Sequence, residues 1–200
     1  MDADLSSLTP QGGDAPRLLV LSGSFHSQSK SMALARIVCE LLPQCRCEIP
    51  AIEGLPFYSE DLNRERPEAV RAFLAQVEQC DGIVFVTPEY NHSIPAVLKN
   101  AIDWASRPAF ASPLRGKPAT IITQSANLVG GARAQAHLKL VLDATLSIIH
   151  PYHEMLIVEA DRIFQEGSGE LDPAVRTRLL RHVEDFLRFV GLVRLARSGG

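Results

Sequence analysis

Two short runs in this chain, Leu18-Leu19-Val20-Leu21 and Ile83-Val84-Phe85-Val86, are apolar at every position. Each is closed at once by small or turn-forming residues, Ser22-Gly23 after the first and Thr87-Pro88 after the second. Side chains of a strand point alternately to its two faces, so a run apolar throughout must bury both. That is the demand of a parallel sheet covered by helices on each side.

The remaining segments supply the covering layers. Met32, Leu34, Ala35, Ile37, Val38, Leu41 and Leu42 form a helical stripe, and a weak strand is expected over Cys45 to Ile49. Glu53 to Arg66 reads as a loop, and Pro67 suits the first turn of the helix carrying Val70, Phe73, Leu74 and Val77. A further helix carries Val97, Leu98, Ala101, Ile102 and Ala105. Ala119 to Thr123 is a strand entered through Gly116-Lys117-Pro118, and a helix runs from Gly130-Gly131 to about Leu146. Met155 to Val158 gives a fifth strand. Asp172-Pro173 opens a last helix with the stripe Val175, Leu179, Leu180, Val183, Phe186, Leu187 and Val190. Five strands alternating with five helices predict an α/β fold with a parallel sheet. The expected layout is one domain over 17–190, a flexible polar arm over 1–16 and a flexible tail over 191–200.

At 200 residues, 46% hydrophobic and 22% charged, the chain suits one soluble domain. A net charge of −3 argues against a nucleic-acid surface, and no apolar stretch is long enough to predict a membrane span. Cys39, Cys45, Cys47 and Cys80 show no C-x-x-C spacing, and Cys45-x-Cys47 lacks a second ligand pair, so a reducing cytoplasm is expected.

In an open α/β sheet a ligand lies beyond the carboxyl ends of the strands, where the strand order reverses. For the order 2-1-3-4-5 that point falls between strands one and three, which makes two distant loops neighbours. The first, Gly23-Ser24-Phe25-His26-Ser27-Gln28-Ser29-Lys30-Ser31, runs into a helix whose N–H groups favour an anion. It lacks the glycines of a dinucleotide fingerprint and the G-K-[ST] of a triphosphate loop, so it suits a terminal monophosphate. Its serines could equally serve only as helix caps. The second, Thr87-Pro88-Glu89-Tyr90-Asn91-His92-Ser93-Ile94-Pro95, offers a stiff backbone to a flat polar ring, or is simply a rigid turn. A third, Gln124 to Gly131, would border the same crevice. Its glycine pair permits close backbone approach, a mobile lid or a helix start.

The run Pro88-Glu89-Tyr90-Asn91-His92-Ser93-Ile94-Pro95-Ala96-Val97-Leu98-Lys99-Asn100-Ala101-Ile102-Asp103-Trp104 closely resembles the P-E-Y-N-x-S-x-P-x-x-L-K-N-A-I-D-W signature of the NADPH-dependent FMN reductase family. Gly130-Gly131-Ala132-Arg133-Ala134-Gln135 resembles that family's later glycine-pair segment. The resemblance implies a flavodoxin-like three-layer sandwich with a five-stranded parallel sheet in order 2-1-3-4-5. It implies bound FMN, with NADPH or NADH as reductant. Hydride would pass to the flavin, then electrons to a quinone, azo, flavin or metal-oxyanion acceptor, with no protein nucleophile and no metal. By the resemblance, Ser24 and Ser29 hold the phosphate, with His26, Ser31 and Met32 beside it. Pro88, Glu89, Tyr90 and Asn91 meet the ring, and Ser125 lies next to it. His26 stands where the family usually has arginine, Ser31 where it has asparagine, and Asn127 where it has glycine. A homodimer or homotetramer is implied.

Two other roles compete, a flavodoxin-like electron carrier and a reductase supplying free reduced FMN to a monooxygenase. Low aromatic content (6%) and mild charge favour an enzyme over a carrier. The cluster His150-Pro151-Tyr152-His153-Glu154 could hold a metal, but Pro151 forbids the helical spacing that would align its ligands. His137 and His182 are expected at a surface or interface, Trp104 in the core or a subunit contact, and Lys99 with Asp103 as a helical surface pair.

Overall fold

The computed structural model describes residues 15–164 and 170–198. Strands β1 (Arg17–Ser22), β2 (Arg46–Glu48), β3 (Gly82–Pro88), β4 (Pro118–Gln124), β5 (Ile148–Ile149) and β6 (Met155–Ile157) form one parallel sheet. Its order is β2-β1-β3-β4-β5, with β6 also pairing β4. The fifth position is thus shared by two short strands. Ile148 and Ile149 pair with Pro118 and Ala119, while Met155 to Ile157 pair with Ile122 to Gln124. A linker over 150–154 separates them; β6 is the fifth strand expected over Met155 to Val158, and β5 is an additional short strand that the sequence reading did not include.

The alternation of β1, β3 and β4 divides the core. Leu19, Leu21, Ile83, Phe85, Ala119 and Ile121 face α3 (Glu68–Gln79), α4 (Ala96–Ala105) and α5 (Ala132–Ala144). Leu18, Val20, Val84, Val86 and Ile122 face α1 (Lys30–Leu41) and α6 (Pro173–Ser198). Each large side chain buried this way contributes about 1.5–3 kcal/mol, which explains why these strands carry no polar face.

Two details depart from the sequence reading. A short helix, α2 (Glu60–Arg64), stands in the 53–66 loop, where the Ser59 side chain accepts from the Leu62 N–H. The last helix continues to Ser198, so 191–198 is helical rather than a loose tail. The extra turns are tied by polar contacts, Arg197 to the Gly116 carbonyl and Arg194 to Asp81 at 3.4 Å, and an apolar stripe does not register these. The proposed arm over 1–16 lies almost wholly outside the described residues. Trp104 is fully buried, its Nε1–H donating to the Pro56 carbonyl at 2.7 Å, and Lys99 pairs with Asp103 at 2.6 Å.

Candidate active site

The carboxyl ends of β1 and β3 are locked side by side. The Gly23 N–H donates to the Val86 carbonyl at 2.8 Å. A Cβ on Gly23 would sit 2.3 Å from Thr87 Oγ1 and 2.9 Å from Thr87 Cβ, so only glycine lets the two ends meet. Glu89 N–H then donates to the Gln124 carbonyl at 3.3 Å, which adds the β4 loop to the same edge.

Between these loops lies a cleft of about 1070 Å³. Its floor is the turn from Ser24 into α1. Ser29 is buried and caps the helix, its Oγ accepting the Met32 N–H at 3.1 Å and donating to the Ser24 carbonyl at 3.1 Å. His26 Nδ1 accepts the Gln28 N–H at 3.3 Å, which places the imidazole proton on Nε2 when the ring is neutral. Among the described residues none offers an acceptor to the N–H groups of His26, Ser27, Lys30 or Ser31. These donors stand at the positive end of the α1 dipole, the ordinary arrangement for binding an anion.

The opposite wall is rigid. Tyr90 and Ser93 exchange two backbone hydrogen bonds of 2.9 Å around Asn91 (φ 49°) and His92 (φ 64°), a two-residue hairpin turn of type I′. Asparagine tolerates that left-handed backbone, which accounts for its presence here. Glu89 lines the cleft, but its carboxylate is turned onto the start of α5. Oε2 accepts the Arg133 N–H at 3.1 Å, and Oε1 accepts Arg133 Nη1 at 2.8 Å. Burial pushes the Glu89 carboxyl up, yet the hydrogen bonds from Arg133 and the Ala134 N–H outweigh it and hold it below the ordinary range. Gly131 begins that helix at φ 84°, with Thr123 Cβ only 2.8 Å from where a Cβ would stand. The glycine pair is therefore a close-packed helix start. Ser125 Oγ donates to Asn127 Oδ1 at 2.7 Å, and the same Oδ1 accepts the Val129 N–H at 2.9 Å, so the third loop is held by its own side chains.

The family model for NADPH-dependent FMN reductases matches residues 16–161. The chain belongs to the NADPH-dependent FMN reductase family. A 2-hydroxy-1,4-benzoquinone reductase from Burkholderia sp is 39% identical over 158 residues, covering 78% of this chain and 86% of that protein. An NAD(P)H-dependent FMN reductase from Pseudomonas aeruginosa is 38% identical over 185 residues, covering 90% and 98%. The structure of FerB, a flavoenzyme NAD(P)H:(acceptor) oxidoreductase from Paracoccus denitrificans, aligns with a TM-score of 0.80 at 30% identity, over 88% of this chain and 97% of that one.

The residues of this reductase fit an FMN. Free N–H groups and the Ser24 hydroxyl at the start of α1 suit a terminal phosphate, and the stiff 88–90 and 125–127 segments line the same cleft. Of the residues the sequence nominated, Ser24, His26, Ser29, Pro88, Glu89, Tyr90 and Ser125 line the cleft. Three do not. Ser31 is fully buried and accepts Gln124 Nε2–H at 3.0 Å, which ties α1 to β4. Met32 enters only through its N–H, bonded to the Ser29 cap. Asn91 is exposed on the hairpin tip, outside the lining.

The sequence reading missed Lys30, Arg36, Asp161 and Phe164, which also line the cleft beside the 24–29 turn. Lys30 Nζ lies 5.2 Å from the centre of the Phe164 ring. Ser29, Ala33 and Arg36 stand at i, i+4 and i+7 on one face of α1, a spacing that would have extended the site along the helix. Nothing near the loops in sequence pointed to 161–164, which β6 delivers from the far edge. Ser125 N–H donates to the Ile157 carbonyl at 3.1 Å and Ala160 N–H to the Ser125 carbonyl at 2.9 Å.

Proposed function

We propose that this oxidoreductase binds FMN in the cleft between the 23–31 and 88–95 loops and uses NADPH or NADH to reduce a quinone-type acceptor. The observation that carries the reading is the pairing of unsatisfied N–H donors at the start of α1 with a rigid, polar-edged wall one strand away. FMN, when bound, supplies the hydride chemistry; the protein supplies binding, orientation and charge stabilisation. The Ser24 hydroxyl and the open N–H groups of His26, Ser27, Lys30 and Ser31, set by the Ser29 cap, hold the phosphate, and Lys30 and Arg36 add positive charge beside it. Pro88, Glu89 and Tyr90 present backbone groups and an exposed aromatic ring to the flavin. The engagement of the Glu89 carboxylate with Arg133 keeps a free negative charge away from a ring that gains electron density.

The relatives act as quinone or FMN reductases by name, which favours a small-molecule acceptor over a protein partner. No described helix is long and apolar enough to cross a membrane. Exposed Phe110 and Leu140, at 77% and 71%, support a homo-oligomer, and four free cysteines support a reducing cytoplasm.

The deciding experiment is the absorption spectrum of the purified protein with FMN, followed by NADPH and NADH consumption with benzoquinones, azo dyes and free FMN. Flavin absorbance that stays with the protein on gel filtration, with quinone-dependent turnover, is the expected result. A protein that takes up no FMN overturns the reading. Retained flavin without turnover would instead make it an electron carrier.

A further inference from the structure

Away from the 24–29 turn, five side chains form a connected chain of hydrogen bonds between β4, the 150–154 linker and α6. His182 Nε2 lies 2.8 Å from Thr120 Oγ1, which lies 3.3 Å from His150 Nδ1. His150 Nε2 lies 2.9 Å from Asp185 Oδ2, and Arg188 Nη2 donates to Asp185 Oδ1 at 2.7 Å. His150 and His182 are 7% and 4% exposed. His182 is therefore no surface residue. It sits three residues after Leu179 and four before Phe186, on the buried stripe of its helix.

The directions of these bonds follow from what each atom can do. The Asp185 carboxylate only accepts, so His150 carries its proton on Nε2 and presents a bare Nδ1. Thr120 has one proton, which it gives to that Nδ1. Its oxygen then accepts from His182 Nε2–H. This leaves His182 Nδ1 as an unprotonated lone pair, and among the described residues it has no partner. A buried acceptor without a partner is tolerable, whereas a buried N–H without one costs far more.

A proton added to either ring breaks this order. On His182 it occupies Nδ1, a buried N–H with no acceptor. On His150 it occupies Nδ1 and turns the Thr120 hydroxyl toward His182 Nε2, which moves the His182 proton to the same orphaned Nδ1. Both routes end in the same unsatisfied donor. Burial, then the neighbouring His150, pushes His182 down to about 4. Burial also pushes His150 down, opposed by its bond to Asp185. The groups facing the pair are Asp185, Arg188 and Arg178 from α6, and Tyr152 from the 150–154 linker, whose ring stacks on His150 at 5.3 Å and meets His153. Strand β4 contributes only the neutral Thr120. Asp185 itself is held below its ordinary range, so it stays charged while the histidines titrate.

The chain of bonds sits where the sheet edge is interrupted. His150 directly follows β5, its N–H bonded to the Ala119 carbonyl, and β6 begins only at Met155. Arg178 of α6 donates to the Leu156 carbonyl of β6 at 2.7 Å, and β6 leads into the 157–164 wall of the cleft. We propose that Thr120, His150 and His182 form an acid-sensitive clasp joining β4, α6 and the 150–154 linker, whose opening loosens the 157–164 wall of the cleft.

Both rings are neutral in the fold and have ordinary values near 6.5 when unfolded. The unfolded chain therefore binds protons first, and stability falls as pH drops from about 6.5 toward about 4. The test is thermal melting against pH for the wild type, His182→Phe and His153→Gln. The expected outcome is a flatter acid limb for His182→Phe, its acid midpoint moved down by about half a pH unit, with His153→Gln unchanged. Nitrogen NMR of the wild-type imidazoles keeps the question decidable if His182→Phe does not fold. Both rings should be neutral Nε2–H tautomers near pH 8, well above the ordinary imidazole range. A His182 that titrates at an ordinary value, or holds its proton on Nδ1, overturns the clasp. Hydrogen exchange, corrected for intrinsic pH dependence, should show Ser125, Glu159 and Ala160 losing protection on acidification before the β1 and β3 amides. Simultaneous loss would sever the clasp from the cleft wall.

Discussion

The two loops that face each other across the cleft are built on opposite principles. The 23–31 turn leaves backbone donors open, with hydroxyls and a helix dipole behind them. The 88–95 loop closes its own hydrogen bonds, through the hairpin at Tyr90 and Ser93 and through Glu89 on α5. The first loop leaves N–H donors open at the start of α1, whereas in the second the N–H groups of its cleft-lining residues Glu89 and Tyr90 are both bonded. An orphaned donor marks where binding energy is gained, and a satisfied backbone marks what holds the ligand at a defined angle.

The most severe way to break this pairing is Gly23→Ala. The new methyl would overlap Thr87, a fully buried β-branched residue that has no room to turn aside. The expected loss is about 1–3 kcal/mol of stability from overpacking, with FMN retention lost because the loops no longer meet. Urea unfolding together with flavin fluorescence after gel filtration checks both. Ser29→Ala acts on the open loop alone. It removes the cap of α1 at a cost of about 1 kcal/mol and should weaken FMN binding about tenfold, because the cap that fixes the open N–H groups of the turn is lost. A titration of the stripped protein with FMN that shows no change would move the phosphate elsewhere.

Ser31→Ala sharpens the contrast from inside the same segment. Its hydroxyl accepts from Gln124 in the interior, away from the cleft. The variant should lose about 1 kcal/mol of stability while its FMN dissociation constant stays within twofold of wild type, by about the net worth of one hydrogen bond. A large fall in FMN affinity would return Ser31 to the phosphate site.

The sheet and its two-sided core were legible because strands apolar at every position admit one arrangement. The cleft was legible because strand order places its loops. Side-chain direction was not. Ser29 and Ser31 are near neighbours in one serine-rich turn, yet the first caps a helix at the cleft and the second reaches to β4. Glu89 lies in the strongest motif of the chain, but its partner is the start of α5, which only the folded sheet brings near. The end of α6 was misjudged because Arg194 and Arg197 anchor it through charge and a carbonyl, which hydrophobic periodicity cannot detect. His182 was misjudged for the reverse reason, since a polar letter on an apolar stripe was taken for surface.

The smallest effect concerns the closed loop. Glu89 is held below its ordinary value of 4.5 by Arg133 and the first N–H groups of α5. A carboxyl depressed by folding contributes stability that is present above its unfolded value and is lost as pH falls through the folded one. Glu89→Gln keeps the shape and an acceptor for the α5 N–H groups but removes the charge. Near neutral pH the variant should melt slightly below wild type. Below pH 4.5 the gap should narrow, because wild type is then losing the contribution the variant never had. Flavin should remain bound in both, since the amide still accepts from the Arg133 N–H and the hairpin is untouched. A gap that widens on acidification would mean that Glu89 is protonated in the fold, and the closed loop would then owe its rigidity to the hairpin turn alone.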